Sequence, residues 1–162
     1  MALQPIVRLP TAWSSGDQAW AVHLFEGQLS VADMDRMQHS GDQWIAKHPG
    51  KRVELVIIYP SDARMSAEER ARMGRLMKHG EPRRAASATV ILAHGLRGAM
   101  HRSTLTALMM IAPPSHPAKV FGTASDAVHW MFPHVRALTD AYAAAEQLEC
   151  TLHEHLAEFR SR

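Results

Sequence analysis

Apolar and polar positions follow two different rhythms along this chain, and the rhythm switches repeatedly between residues 53 and 130. Short apolar runs at 53–59, 88–93 and 119–121 alternate with longer segments whose apolar residues recur at spacings of three and four. Strand-length runs alternating with helix-period segments predict a mostly parallel sheet buttressed by helices. The run Val53-Glu54-Leu55-Val56-Ile57-Ile58-Tyr59 is apolar nearly throughout. A strand covered on both faces needs such a composition, so this is the expected central strand.

Upstream, residues 3–9 and 19–25 read as two strands joined by a polar, glycine-containing loop at 11–17, with an antiparallel hairpin as the expected pairing. Ser30 with Asp33 forms a capping-box signature and opens a helix with Met34, Met37, Trp44 and Ile45 on one face, stopped by Pro49-Gly50. Ser66 with Glu69 repeats the box before a second helix through Met73, Leu76 and Met77, ending near Gly80 and Pro82. After the strand at 87–93, Gly95 and Gly98 loosen a turn. A third helix follows over 99–111, with Leu105, Leu108, Met109 and Ala112 inward and Pro113-Pro114 as its stop. Thr123 with Asp126 caps a fourth helix carrying Val128 and Trp130 or Met131, which Pro133 is expected to break. The prediction is an α/β domain over residues 1–133, built on a sheet of about five strands.

Residues 134–162 differ in kind and read as a helical extension, one long helix over about 136–160. Leu138, Ala145, Leu152 and Phe159 recur every seven residues, Tyr142 and Leu156 fill the seam between them, and Glu149 interrupts it. Such a seam packs either on its own domain or on a second copy of the chain, which would give a homodimer through this helix.

Composition narrows the class. A chain of 162 residues suits one domain and buries roughly two-thirds of its unfolded surface. One cysteine, Cys150, excludes an internal disulfide, and residues 1–10 lack the basic-then-apolar pattern of a secretion signal, so a cytoplasmic location is expected. The apolar runs are too short for an integral membrane protein, and a formal charge of +2 is too small to argue for nucleic acid.

Candidate chemistry is sparse. Arg83, Arg84, Arg97, His101 and Arg102 gather around the strand at 87–93 and the start of the third helix. Arginines beside a helix start complete an anion site or form a solvated basic rim in which Arg102 pairs with a carboxylate. His94-Gly95-Leu96-Arg97-Gly98 is neither a Walker loop nor a dinucleotide fingerprint. Among eleven histidines, Glu149 and His153 have helical ligand spacing, but His153-Glu154-His155 misses the zincin pattern because Ala157 occupies the second histidine's place. His129 and His134 straddle Pro133 with no fixed geometry, so no metal and no cofactor are expected. Cys150 lies within the last helix and no nucleophile-elbow motif exists. Asp62 with His94 or His101 makes an acid–base pair only if the fold joins their turns.

The element order, together with Arg102-Ser103-Thr104-Leu105-Thr106 before a helix and Val120-Phe121-Gly122-Thr123, Asp126-Ala127 and Trp130-Met131 near the end, resembles the STAS domains and, more closely, the SpoIIAA-like proteins. The resemblance covers about residues 3–132. It implies a non-catalytic interaction or regulatory module, in which a serine of an Asp-Ser-Ser-Gly turn is phosphorylated to switch partner binding. Here that turn reads Tyr59-Pro60-Ser61-Asp62-Ala63-Arg64-Met65-Ser66, with Ser61 and Ser66 as the available serines. The expected partner is another protein or a small anionic ligand, met by the strand-end loops and the start of the third helix. Two alternatives stand beside it. One is a binding protein for a lipid or nucleotide, with Met100, Met109 and Met110 lining an apolar pocket. The other is an enzyme using Arg97, His101 and Arg102 on an anionic substrate.

Overall fold

The computed structural model describes residues 3–16, 19–60, 65–93 and 95–138. Strands β1 (Gln4–Leu9), β2 (Ala12–Gly16) and β3 (Trp20–Glu26) come first. Then α1 (Val31–Lys47), β4 (Arg52–Tyr59), α2 (Ala67–Gly80), β5 (Arg84–Ile91), α3 (Gly95–Ile111), β6 (Ala118–Phe121) and α4 (Ala124–Arg136) alternate. The six strands form one sheet in chain order, antiparallel from β1 to β3 and parallel from β3 to β6.

This topology decides where everything else sits. Each connection from β3 to β6 is a helical crossover stepping in the same direction, and right-handed crossovers then place their helices on one face. Residues of α1, α2 and α3 accordingly gather over the same side of the sheet. The opposite side carries α4, whose Ala127, Val128, Met131 and Val135 are buried against Trp20, Val22, Leu24, Val53, Leu55, Ile57, Ala86, Ala88 and Val90. That face is the dry core. A smaller cluster of Leu9, Ala12, Leu29, Met34 and Met37 seats α1 against β1 and β2.

Several expectations change. The expected loop gives way to a strand: Ala12–Gly16 is buried and paired with both β1 and β3, so 3–9 and 19–25 do not form a hairpin and the sheet has six strands among the described residues. The serines that suggested a loop are satisfied inside the sheet, Ser15 Oγ donating to the Gln4 carbonyl at 2.6 Å. Helix α3 starts at Gly95, before the expected Ala99, and Gly98 is its buried residue. A Cβ at Gly98 would lie 1.9 Å from the Ala93 carbonyl oxygen, so this glycine serves close approach to the strand end rather than a loose turn. Leu108 and Ala112, expected inward, are exposed, whereas Leu105 and Met109 are half-buried. Pro133 lies inside α4 and does not end it, because buried Met131 and Val135 hold the last turn against the core.

The capping boxes at Ser30 and Ser66 are both fully formed. Leu138 packs on the α4-side core. The other seam residues, Tyr142, Ala145, Leu152, Leu156 and Phe159, lie outside the described residues, as does Ser61. Among the described residues no helix is long and apolar enough to cross a membrane.

Candidate functional site

Because side chains alternate along a strand, the residues of β3 and β4 that do not enter the dry core face α1, α2 and α3. Between that face and the helices lies a cavity of about 450 Å³. Ala21, His23 and Phe25 of β3, with Arg52, Glu54, Val56 and Ile58 of β4, form its floor, and Ile6, Ser14 and Thr89 extend it. Met37, Trp44 and Ile45 of α1, Met73, Leu76 and Met77 of α2, and Leu105 and Met109 of α3 supply apolar walls.

A polar line crosses this floor from strand to strand. Ser14 and His23 are direct partners in the antiparallel register, and Ser14 Oγ meets His23 Nδ1 at 2.8 Å. His23 Nε2 meets Glu54 Oε1 at 3.1 Å, and the other Glu54 oxygen is ion-paired with Arg84. Arg84 also donates through Nη1 to the Met77 carbonyl at 2.8 Å, tying the end of α2 to the sheet. Burial alone would raise the Glu54 pKa. The hydrogen bond and charge of His23 and the Arg84 guanidinium outweigh it and hold the carboxyl ionised, at about 2. An ionised Glu54 can only accept, so it fixes the imidazole with its proton on Nε2. In the neutral ring Nδ1 then accepts from the Ser14 hydroxyl. Ser87 lies beside Glu54 in register and meets His116 Nε2 at 2.9 Å.

Arg52 opens the same strand. It is 6% exposed, and its guanidinium lies 4.8 Å from the centre of the Trp44 ring. Burial lowers its pKa; the Glu54 charge opposes that shift, while Arg83 and Arg84 add to it. Trp44 reaches this place because Gly16 has no side chain: a Cβ there would stand 2.8 Å from the indole.

Helix α2 covers the cavity with polar fastenings more than with apolar burial. Arg72, its buried residue, donates to Asp35 Oδ1 at 2.6 Å and to Gln38 Oε1 at 2.8 Å. His79 meets Asp42 at 2.7 Å, and Gln28 donates to Glu69 at 2.6 Å.

The residues singled out from sequence are distributed differently. Arg97 and His101 are exposed on α3. Arg102, half-buried on the same helix, donates through Nη1 to the Ala93 carbonyl at 3.2 Å and packs beside Gly122. Arg84 stands apart from them, joined to Glu54. Ser66 is the N-cap of α2, accepting from the Glu69 amide at 3.2 Å. Met109 lines the cavity, whereas Met100 and Met110 are exposed. His129 packs edge-on to Phe132 and His134 lies 4.9 Å from Trp130; among the described residues no group of acidic, histidine or cysteine side chains could hold a metal. Asp62 and His94 lie outside the described residues. Sequence reasoning missed Ser14, His23, Arg52 and Glu54. The available signal was Glu54 itself, a carboxylate inside an otherwise apolar strand, which burial obliges to find partners.

No protein-family model and no curated protein matches this chain. Its structure is similar to that of an uncharacterized DUF3478-family protein with a SpoIIAA-like fold from Shewanella loihica PV-4. The TM-score is 0.56 at 15% sequence identity, over 80% of this chain and 91% of the other. Six strands in chain order, crossover helices on one face and α4 on the other thus give this chain a SpoIIAA-like α/β fold.

Proposed function

We propose that this chain is a non-catalytic regulatory module that holds one small, largely apolar molecule between its sheet and helices α1 to α3. The observation carrying this reading is the cavity of about 450 Å³, whose volume and apolar walls match those of small-molecule sites. Its polar groups are few and placed in a line, the arrangement that orients a ligand rather than dissolves it. The test is native mass spectrometry of the purified chain together with a Val56→Trp variant that fills the floor. Wild type should carry an added mass that denaturation releases, and the variant should fold without it. A wild type that carries no added mass and gains no thermal stability from a panel of apolar compounds would end the proposal.

The exposed apolar residues of α3 favour a second role, docking of a partner protein. Leu96, Met100, Leu108, Met110 and Ile111 are all well exposed on this one helix, Met110 and Ile111 at 79% and 80%. Large apolar residues gathered on a surface mark interaction sites. Leu105 and Met109 of the same helix line the cavity, so occupancy and docking would be sensed by one element. Chemical cross-linking in a host extract should yield a defined adduct with wild type and lose it with Met110→Glu/Ile111→Glu. An unchanged adduct would place docking elsewhere.

A further inference from the structure

We propose that Arg52 is an anion-recognising residue at the cavity floor and that the ligand is a monocarboxylate on an apolar chain, of the fatty-acid class. The inference rests on the reading of the cavity as a ligand site and specifies its chemistry.

Arg52 lines the cavity and is more than nine-tenths buried, yet among the described residues its guanidinium has no hydrogen-bond or ion-pair partner. Trp44 supplies a π face, which fixes the plane of the guanidinium but cannot accept from its N–H groups in the way a carboxylate does. The nearby carboxylate is committed elsewhere. Glu54 is shared between His23 and Arg84, one oxygen to each, so it lowers the local potential without closing a pair with Arg52. Asp42 and His79 also line the cavity, but they are half-exposed and paired with each other. Arg83, near Arg52, is exposed and adds positive charge.

Glu54 is engaged by His23 and Arg84, so Arg52 brings one positive charge that no carboxylate of the floor pairs. A guanidinium that lines the cavity presents its N–H groups to whatever enters, and a ligand carboxylate can close two parallel N–H···O bonds on it. The excess of one charge suits a monoanion better than a phosphate dianion. Methionines 37, 73 and 109 together with Val56, Ile58 and Leu105 are adaptable or aliphatic, which suits an alkyl chain more than a rigid ring with its own hydrogen-bonding edge.

The test uses the full chain and two probes of equal chain length, decanoate and decanol, below their aggregation concentrations. Calorimetric titration of wild type should show decanoate binding at least about ten-fold more tightly than decanol, one carboxylate–guanidinium pair being worth that factor. Arg52→Gln should remove that preference while leaving decanol affinity within two-fold of wild type, and Arg52→Lys should retain part of it. Arg97→Ala, on the exposed surface of α3, should behave as wild type. Equal affinity of wild type for both probes, or decanoate binding unchanged in Arg52→Gln, would overturn the assignment of Arg52 while leaving the cavity as a ligand site. Failure of wild type to bind either probe, with no stabilisation by other apolar compounds, would remove the cavity reading and this inference with it. Should Arg52→Gln fail to fold, the decanoate-to-decanol ratio in wild type and in Arg52→Lys decides the matter.

Discussion

Arg72 of α2 reaches across to Asp35 of α1, with Nε 2.6 Å from Oδ1, and sends its second nitrogen to Gln38 at 2.8 Å. A guanidinium is thus what α2 buries most deeply, where an ordinary amphipathic helix would bury leucine or methionine. The consequence is a cover held by directional bonds, which open and close as units.

Removing that fastening should loosen α2 selectively. Arg72→Ala is expected to cost about 1 kcal/mol globally, since Asp35 is more than half exposed and screened. Amide exchange within Ala67–Gly80 should speed up markedly while β4 stays protected. Unchanged exchange over α2 in this variant would show that apolar contacts hold the helix instead.

Acid should act through Glu54. Its folded pKa, about 2, lies below the unfolded value of 4.5, so it contributes stability that is fully present above pH 4.5 and lost as pH falls toward 2. The difference corresponds to about 3 kcal/mol. His116 works in the same direction from higher pH: burial, with the charge of Arg84 beside it, lowers its pKa, so protonation below the ordinary imidazole value of 6.5 also favours the unfolded chain. Denaturant midpoints from pH 7 to pH 2.5 should fall steeply below 4.5 in wild type. In Glu54→Gln they should start lower and fall less. Parallel curves for the two proteins would contradict the buried-carboxylate account.

Neighbouring positions of β4 should respond unequally to the same charge. Ile57 is fully buried under α4, so Ile57→Asp should cost about 4 kcal/mol or more, enough to prevent folding at ordinary temperature. Val56 faces the cavity, where water can follow the new carboxylate, and Val56→Asp should lose no more than about 2 kcal/mol. Circular dichroism melts compare the two directly. Equal losses would mean that the cavity face is as dry as the other.

Two helical glycines make opposite predictions for alanine. At Gly74 of α2 an added Cβ meets no atom within 4 Å, so Gly74→Ala should stabilise by about 0.5–1 kcal/mol. At Gly98 the Cβ would strike the Ala93 carbonyl, and Gly98→Ala should destabilise by roughly 1–3 kcal/mol while moving the start of α3. Paired thermal melts with opposite signs are the expected result.

Much of the architecture was legible because it is written in local patterns. Ser30 with Asp33 and Ser66 with Glu69 mark helix starts through bonds between residues three apart, and those bonds form as read. Strand β2 was illegible for the converse reason. Trp13-Ser14-Ser15-Gly16 looks polar and turn-like until Ser15 finds Gln4 and Ser14 finds His23, eleven and nine residues away, and such partners follow from register, not composition. The cavity was hidden in the same way. Its floor takes Ser14, His23, Glu54 and Arg84 from four strands, none of them in a recognisable motif. Helix α3 misled because its methionines and leucines carry no clear periodicity, so the turns facing the cavity and those facing solvent could not be told apart.

The alternation along β4 has a further consequence for how a chain like this can change. Val53, Leu55 and Ile57 answer to the packing of α4, while Arg52, Glu54, Val56 and Ile58 answer to whatever the cavity holds, so two independent requirements are interleaved residue by residue. Substitution can retune one track without disturbing the other, but gain or loss of a single residue would exchange them, driving Glu54 into hydrocarbon and leucine onto the cavity floor. Divergence in this strand is therefore free in alphabet and rigid in length: ligand preference can drift at every second position while the count between its two ends stays fixed.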